Sequence, residues 1–385
     1  MIPATRPEAL AALEAFVDGP VRSYARLRNF IDPGHRDVSR LSAAISHRLV
    51  GEAEVVRAVL AVHKPATVEK FLQEVAWRSY WKGWLEARPG VWRDFADAPP
   101  SANPRASALC AASSGCEAMD AFARELVSTG YLHNHARMWW ASFWIHRHNL
   151  PWREGARFFL DHLLDADAAS NTLSWRWVAG LQTSGKTYLV RRSNLEAYWP
   201  DVPLEGLEAL SGEPTLVPPP DTADRTVRPL DDYPRTPGTE PAVLLVHEED
   251  LSVECALPQS FTPGAVILWR TPPRSAVRAA WLERAVAETR IRLQAAFGQE
   301  PQAASDLPSL IKCVESQSAR RIVMAAPCVG PVRDALQPFL GWCATSEIPV
   351  TAVRRRWDAQ VFPFAKSGFF PFWNAVRPQL EDLCR

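Results

Sequence analysis

The chain has 385 residues, 47% of them hydrophobic and 22% charged, and its formal net charge is zero. This length predicts two domains, and the balanced charge excludes a general electrostatic attraction to nucleic acids. No apolar run reaches the roughly 18 residues of a bilayer span, so a membrane span is not indicated. The seven scattered cysteines form no Cys-x-x-Cys pair, so a zinc site, an iron–sulfur site and a disulfide framework are not indicated either.

Residues 1–199 are predicted to be helical throughout. The N-terminus lacks a secretory signal pattern, so a cytoplasmic location is expected. Apolar residues then recur at spacings of three and four, and a long helix is predicted over residues 67–87 with Thr67 as its N-cap. Helix breaks are expected at Gly19-Pro20, Gly130 and Pro151. Most of the 16 tryptophans precede residue 200, which indicates either an aromatic core or a site that stacks on planar ligands.

The character of the chain changes after residue 199. Residues 200–240 are acidic and rich in proline, and they are predicted to form an extended linker. Residues 241–385 alternate between apolar runs and helical stretches, which favours an α/β domain with a mainly parallel sheet. The predicted strands are 242–246, 265–269, 321–326 and 350–354, and the main helices are 275–297 and 332–346. The predicted fold class is therefore multidomain, an all-helical domain followed by a small parallel-sheet α/β domain.

Two of the predicted helices carry chemically varied faces. On the helix over 67–87, positions i, i+3 and i+4 hold Glu74, Trp77 and Arg78. The helix over 132–149 repeats that spacing with Asn134, Arg137 and Met138. The two helices could line one pocket. The alternative is that Trp77 and Met138 are core residues, that Glu74 pairs with a nearby arginine, and that Asn134 is a helix cap.

The stretch 163–177 combines residues that seldom occur together. Asp165 and Asp167 are followed by a run of small residues and then by Trp175 and Trp177. A surface helix does not need two tryptophans, and a core helix disfavours two acids. The combination indicates a buried ligand.

Four ordered blocks carry a resemblance to a known family. They are SRLSAAI (39–45), FLQEVAWRSYW (71–81), STGYLHNHARM (128–138) and WREGARFFLDHLLDADAASNTLSWRW (152–177). With these blocks, residues 30–200 resemble the helical flavin-binding domain of the DNA photolyase/cryptochrome family. The resemblance implies FAD as the cofactor.

The resemblance also implies cofactor contacts. The turn formed by Ser39, Arg40, Leu41 and Ser42 would contact the phosphates, and Arg78 would lie in the flavin site. Asp165 would face the flavin and pair with Arg137, while Asp167 and the small residues after it would let the helix approach the isoalloxazine. Asn171 would sit opposite flavin N5. Trp175 would be the first electron donor, followed by Trp152.

The activity implied by the resemblance is light-driven DNA repair. Reduced flavin passes an electron to a cyclobutane pyrimidine dimer flipped out of the duplex, the dimer splits, and the electron returns. Trp77 and Met138 would form the walls of the lesion pocket, and Glu74 and Asn134 would hydrogen-bond the bases. His135 would lie at the DNA-contacting rim. Damaged DNA is therefore the expected partner. The alternatives are a cryptochrome-like blue-light photoreceptor that binds FAD without repair, and a flavin or nucleic-acid binding module without photochemistry.

Several positions depart from the family pattern. His135 replaces an arginine, Val38 a threonine, and Ser79 an acid. The outer tryptophan of the family's electron-transfer chain is absent, and Pro100 lies near its place. Trp139, Trp140 or Trp144 would then offer another route for the electron. The alternative is that these three side chains only contribute aromatic packing.

The order of the predicted domains is also unusual. Residues 242–252 resemble the start of the family's antenna domain, and residues 366–378 resemble its end, although that domain normally precedes the flavin domain. The predicted division is 1–199 for the FAD-binding domain, 200–240 for the linker and 241–385 for the antenna-like domain. A second, antenna chromophore is a candidate ligand, and the alternative is a purely structural α/β lobe.

Overall fold

The computed structural model describes residues 2–32, 34–99, 103–183, 187–210, 221–317 and 320–384. In the described part of residues 1–199 the chain forms α-helices and no strand, which confirms the predicted helical character. The helices are α1 Arg6–Asp18, α2 Tyr24–Leu27, α3 Ser42–Ser46, α4 Glu52–Val62, α5 Pro65–Glu86, α6 Pro89–Ala96, α7 Pro104–Cys110, α8 Glu117–Thr129, α9 Asn134–Ser142, α10 Trp152–His162, α11 Ala168–Val178 and α12 Arg192–Tyr198. A π-helical turn, Phe143–Arg147, follows α9. None of the helices in the described ranges combines the length and apolar character that crossing a bilayer requires.

The predicted helix breaks are confirmed, but one predicted cap is wrong. Gly19 follows α1, Gly130 ends α8 in the left-handed conformation with φ of 67°, and Pro151 directly precedes α10. Thr67 is not an N-cap, because α5 already begins at Pro65. Proline is favoured at the first helical position, since its fixed φ suits the helix and its missing N–H would be unpaired there in any case.

The second half of the chain contains a five-stranded parallel sheet. Its strands are β1 Val243–His247, β2 Ala265–Trp269, β3 Gln302–Ala304, β4 Ile322–Ala325 and β5 Val350–Val353, in the order β3-β2-β1-β4-β5. Four strands match the predictions, and β3 was not predicted because it is three residues long and lacks β-branched side chains. The predicted fold class is confirmed.

The strand order has a topological consequence. The chain runs outward from β1 through β2 to β3, then crosses back to β4 on the other side of β1 and continues to β5, so the switch point lies between β1 and β4. The loops after these two strands, residues 248–252 and 326–330, therefore meet at the carboxyl edge of the sheet.

The helices of the second half pack on the sheet and on the helical half. They are α13 Ala276–Phe297, α14 Leu307–Glu315, α15 Pro331–Thr345, α16 Arg356–Val361, α17 Phe369–Val376 and α18 Leu380–Leu383. The last three join the apolar core of the helical half, where the Trp357 indole donates to Ser79 Oγ at 2.8 Å and the Tyr80 hydroxyl donates to the Ser367 carbonyl at 2.5 Å. The division at 199 and 240 stays a prediction.

The described parts of the predicted linker, 200–210 and 221–240, contain no α-helix or strand. They contact the helical half, where Asp221 pairs at 2.8 Å with the fully buried Arg176 and the Arg228 N–H donates to the Ala87 carbonyl at 2.8 Å. Residues 211–220 of the predicted linker lie outside the described residues.

Candidate functional site

A cavity of about 500 Å³ opens among α5, α9 and α11. Most of the residues predicted for a site line it: Ser42, Glu74, Trp77, Arg78, Asn134, His135, Arg137, Met138, Asp165, Asp167, Asn171 and Trp175. Ser39, Arg40, Leu41 and Trp152 do not line it. The structure therefore brings both predicted helix faces and the 163–177 stretch to one site.

The α5 face contributes a carboxylate, an indole and a guanidinium. Glu74 pairs with Lys70 at 2.9 Å and with Arg28 at 3.2 Å, so it lines the cavity and also makes the arginine pair of the alternative interpretation. Trp77 stacks on Phe369 with ring centroids 3.8 Å apart and planes 6° apart. Phe369 is buried and does not line the cavity, so it covers one face of Trp77 from outside the cavity lining.

The α9 face stands opposite with a different set of groups. Asn134 is the first residue of the helix, and its amide nitrogen lies 3.8 Å from Met138 Sδ. It is not a cap, because His133 takes that position and accepts from the His135 N–H at 3.2 Å. His135 Nδ1 lies 3.0 Å from the Asn29 carbonyl. Burial lowers the pKa of His135, so its imidazole is neutral at neutral pH.

Two buried carboxylates close the inner end of the cavity, and each has a cationic partner. Arg137 Nη2 donates to Asp165 Oδ2 at 2.8 Å, and Arg78 Nη1 donates to Asp167 Oδ2 at 2.8 Å. Lys82 Nζ lies 3.6 Å from Asp167 as well. Burial alone would raise the pKa of Asp167, but Lys82 and Arg78 outweigh it and hold that pKa below its usual range. Both carboxylates therefore stay ionised.

Local geometry holds this acidic stretch at the cavity. Ala166 has a φ of 35°, which turns the chain between the two acids, and Asp167 caps α11 by accepting from the Ser170 N–H at 2.8 Å. One turn later, the Asn171 amide nitrogen donates to the Ala156 carbonyl at 2.8 Å. This bond leaves the Asn171 carboxamide oxygen as the group available to a ligand.

Comparison with known proteins finds a known domain that is similar to the segment around the cavity. Residues 71–197 match the model of the FAD binding domain of DNA photolyase. Residues 71–197 therefore form a FAD-binding domain similar to that of DNA photolyases. FAD, the predicted cofactor, is thereby confirmed.

Two curated relatives and one solved structure are similar to parts of the chain. The chain is 36% identical over 179 residues to the deoxyribodipyrimidine photo-lyase of Streptomyces griseus, which covers 44% of this chain and 37% of the relative. It is 29% identical over 200 residues to the Escherichia coli protein of the same name, covering 48% and 41%. A crystal structure of a class III photolyase from Agrobacterium tumefaciens is 28% identical, with a TM-score of 0.45, and covers 54% of this chain and 44% of that one. The chain thus spans less than half the length of these relatives.

The cavity of this FAD-binding domain suits its cofactor. Its volume lies within the ~300–1,000 Å³ of small-molecule sites. Four cationic side chains, Arg28, Lys70, Arg78 and Arg137, outnumber the three carboxylates Glu74, Asp165 and Asp167. This excess of positive charge favours an anionic ligand such as a dinucleotide, and the aromatic wall favours a planar ring.

The tryptophans of the FAD-binding domain occupy distinct environments. Trp175 lines the cavity, its ring 6.2 Å from Trp140, which stacks on Trp144 at 5.2 Å. A side chain at Gly155 would overlap the Trp175 ring, so this glycine allows the close packing. Trp152 is buried outside the cavity lining, with the Arg176 guanidinium 5.8 Å from its ring. Pro100, predicted near the place of an outer tryptophan, lies outside the described residues.

The predicted phosphate-contacting turn lies at the start of α3. Arg40 has a φ of 55°, Leu41 is fully buried, and only Ser42 lines the cavity. The roles predicted for this turn stay predictions.

Sequence reasoning missed several lining residues. Lys70, one turn before Glu74, and Ser174, three residues after Asn171, could have been found from helical spacing. Arg28 could not, because it reaches the cavity from the residue after another helix, α2, through a tertiary contact with Glu74.

Proposed function

We propose that this protein is a FAD-dependent lyase that repairs cyclobutane pyrimidine dimers in DNA under blue light. One observation carries the proposal. Glu74, Trp77, Asn134 and Met138, the residues predicted to hold the lesion, line the same cavity as the flavin-site residues Asp165 and Asn171.

The lesion would enter as a flipped pair of bases. One face of Trp77 is already covered by Phe369, so the face toward the cavity is the one that can stack on a base. Met138 supplies an apolar wall, while the Glu74 carboxylate and the Asn134 carboxamide can hydrogen-bond base edges. The cavity thus offers both components of flipped-base recognition, stacking and edge contacts.

The remaining residues would prepare the cofactor. FAD, when bound and reduced, supplies the light-driven electron for splitting the dimer. Arg78 and Arg137 hold the ionised Asp167 and Asp165 in place, and the bond from the Asn171 amide nitrogen to Ala156 would leave the Asn171 oxygen for the flavin. Trp175, at the cavity wall, would be the first donor for reducing the flavin, and Trp152 the next.

Repair of an oligonucleotide with one cyclobutane dimer tests the proposal. Fully reduced, FAD-loaded protein is expected to restore the undamaged strand under blue light and not in the dark, measured by chromatography of the oligonucleotide. Flavin-loaded protein that repairs nothing and binds dimer DNA no better than undamaged DNA would contradict the proposal. It would favour the cryptochrome-like alternative.

His135→Arg is expected to strengthen DNA binding. The neutral imidazole adds no charge at the rim of the cavity, whereas arginine adds a permanent cation. The slope of log affinity against log salt should steepen by roughly 0.9 if the new cation reaches a phosphate. His162→Arg adds the same charge outside the cavity lining and serves as the control. Identical salt slopes for both variants would remove residue 135 from the DNA-contacting rim.

A further inference from the structure

The carboxyl edge of the parallel sheet faces the flavin site instead of solvent. In doubly wound sheets, ligands bind in the crevice outside the carboxyl ends of the strands, at the switch point. Here that crevice lies between β1 and β4, and the stretch 164–169, which carries the two flavin-site acids, occupies it.

Two contacts anchor this stretch to the sheet. Gly330, in the loop after β4, faces Ala168 so closely that an added Cβ would lie 2.8 Å from the Ala168 Cβ. The buried ring of His47 lies between two carbonyl oxygens, with Nδ1 2.6 Å from that of Glu248 after β1 and Nε2 3.0 Å from that of Leu164. Both strands at the switch point therefore reach the same stretch.

Little space remains in the crevice. The cavity left there is about 30 Å³, room for one or two water molecules and not for an organic ring system. Asp165 and Asp167 line both this small cavity and the large one, so the stretch 164–169 is a thin wall between them. A shift of the wall into either cavity moves the carboxylates that pair with Arg137 and Arg78.

We infer that the sheet is a clamp that positions the flavin-binding stretch 164–169 from behind, with Gly330 and His47 as its positioning residues, and that its switch-point crevice takes no second chromophore. The inference concerns cofactor binding and does not depend on DNA repair. The sheet then has a structural role, which was the alternative to an antenna domain in the sequence analysis.

Gly330→Ala tests the clamp, with Gly341→Ala as its matched control. Both glycines belong to the β4–α15 region, but an added Cβ at Gly341 meets nothing within 4 Å. Since the Ala168 Cβ is bonded directly to its Cα and cannot rotate away, Gly330→Ala should raise the FAD dissociation constant by about tenfold or more. Fluorescence titration measures that constant, and visible circular dichroism of the bound flavin reports its surroundings. Gly341→Ala should match the parent in both.

A compensating change separates positioning from general damage. Ala168→Gly in the Gly330→Ala background removes the clashing methyl group, so it should return the flavin dichroism and the part of the affinity lost to the clash, leaving only the backbone strain of alanine at a φ of 158°. FAD binding by Gly330→Ala equal to the parent, or a loss that the second change does not reverse, would overturn the clamp. Should Gly330→Ala fail to fold, His47→Ala weakens the same clamp by removing the bridge, and unchanged FAD affinity there would also overturn it. The parent protein could instead show absorption bands of a second chromophore that Gly330→Ala removes. That result would overturn the inference that the crevice takes no second chromophore.

Discussion

Replacing Arg137 by methionine is expected to cost about 3 kcal/mol in stability and to weaken FAD binding. Methionine keeps much of the arginine's length but removes the 2.8 Å ion pair with Asp165, whose side chain is only 5% exposed. A buried carboxylate that loses its partner keeps its desolvation cost without compensation. Urea unfolding of the FAD-free protein and FAD titration measure the two effects.

The same substitution should reverse a pH dependence. In the parent, burial would raise the pKa of Asp165, but Arg137, with help from Arg78, lowers it below its usual range. The ion pair therefore stabilises the parent above the ordinary carboxyl pKa, and this stability is lost as the pH falls through the lowered pKa. In Arg137→Met the hydrogen-bonded cation is gone and only Arg78 still opposes burial, so the pKa of Asp165 is expected to rise. The variant should then lose stability as the pH rises through that value, because the carboxylate ionises without a partner.

Unfolding between about pH 5 and about pH 8 checks the sign of this effect. The free energy of unfolding of Arg137→Met should fall further below that of the parent as the pH rises. Asp165→Asn in the Arg137→Met background removes the titrating group, so its deficit should be smaller and flat. A deficit of constant size in the single variant would mean that the lost arginine matters through packing and its bond to the Leu132 carbonyl.

Local periodicity explains what could be predicted of the site. Glu74, Trp77 and Arg78 fall on one face because a helix repeats every 3.6 residues, and that spacing is visible in the sequence. The pair Arg137–Asp165 came from family resemblance, since nothing in the spacing links residues 28 positions apart.

Contacts between distant segments explain what could not be predicted. Phe369 reaches Trp77 from nearly three hundred residues along the chain, and His47 bridges Leu164 and Glu248. Such pairings depend on how the elements pack, which local patterns do not encode. The error at Thr67 has a local cause, because Pro65 starts the helix two residues earlier and Thr67 therefore lies within its first turn.

The packing of the C-terminal segment also qualifies the predicted domain division. Residues 356–384 follow the last strand, yet most of their aromatic side chains join the core of the helical half. The Trp77–Phe369 stack is part of this contact. The wall that we propose for the lesion is therefore built from both ends of the chain, and the FAD-binding half expressed without its C-terminal segment would lack it.

Trp77→Ala is expected to lower affinity for dimer-containing DNA by about 1–3 kcal/mol, the usual contribution of an aromatic–base stack. Affinity for undamaged DNA should change little, because an unflipped base does not reach the cavity. FAD binding should also persist, since the paired acids Asp165 and Asp167 lie on other elements. Titration of labelled oligonucleotides with and without one dimer measures the difference. Equal affinity of variant and parent for dimer DNA would exclude Trp77 from stacking.

Two neighbouring phenylalanines offer a matched test of how Trp77 is held. Phe369 is 4% exposed and parallel to the indole, whereas Phe370 is 66% exposed. Phe369→Leu keeps an apolar side chain but removes the flat support, so dimer binding should weaken by about 0.5–1.5 kcal/mol, the value of an aromatic pair. Phe370→Leu should leave it unchanged. If Phe369→Leu binds dimer DNA like the parent while Trp77→Ala does not, α5 alone orients the indole and the C-terminal segment has no part in recognition.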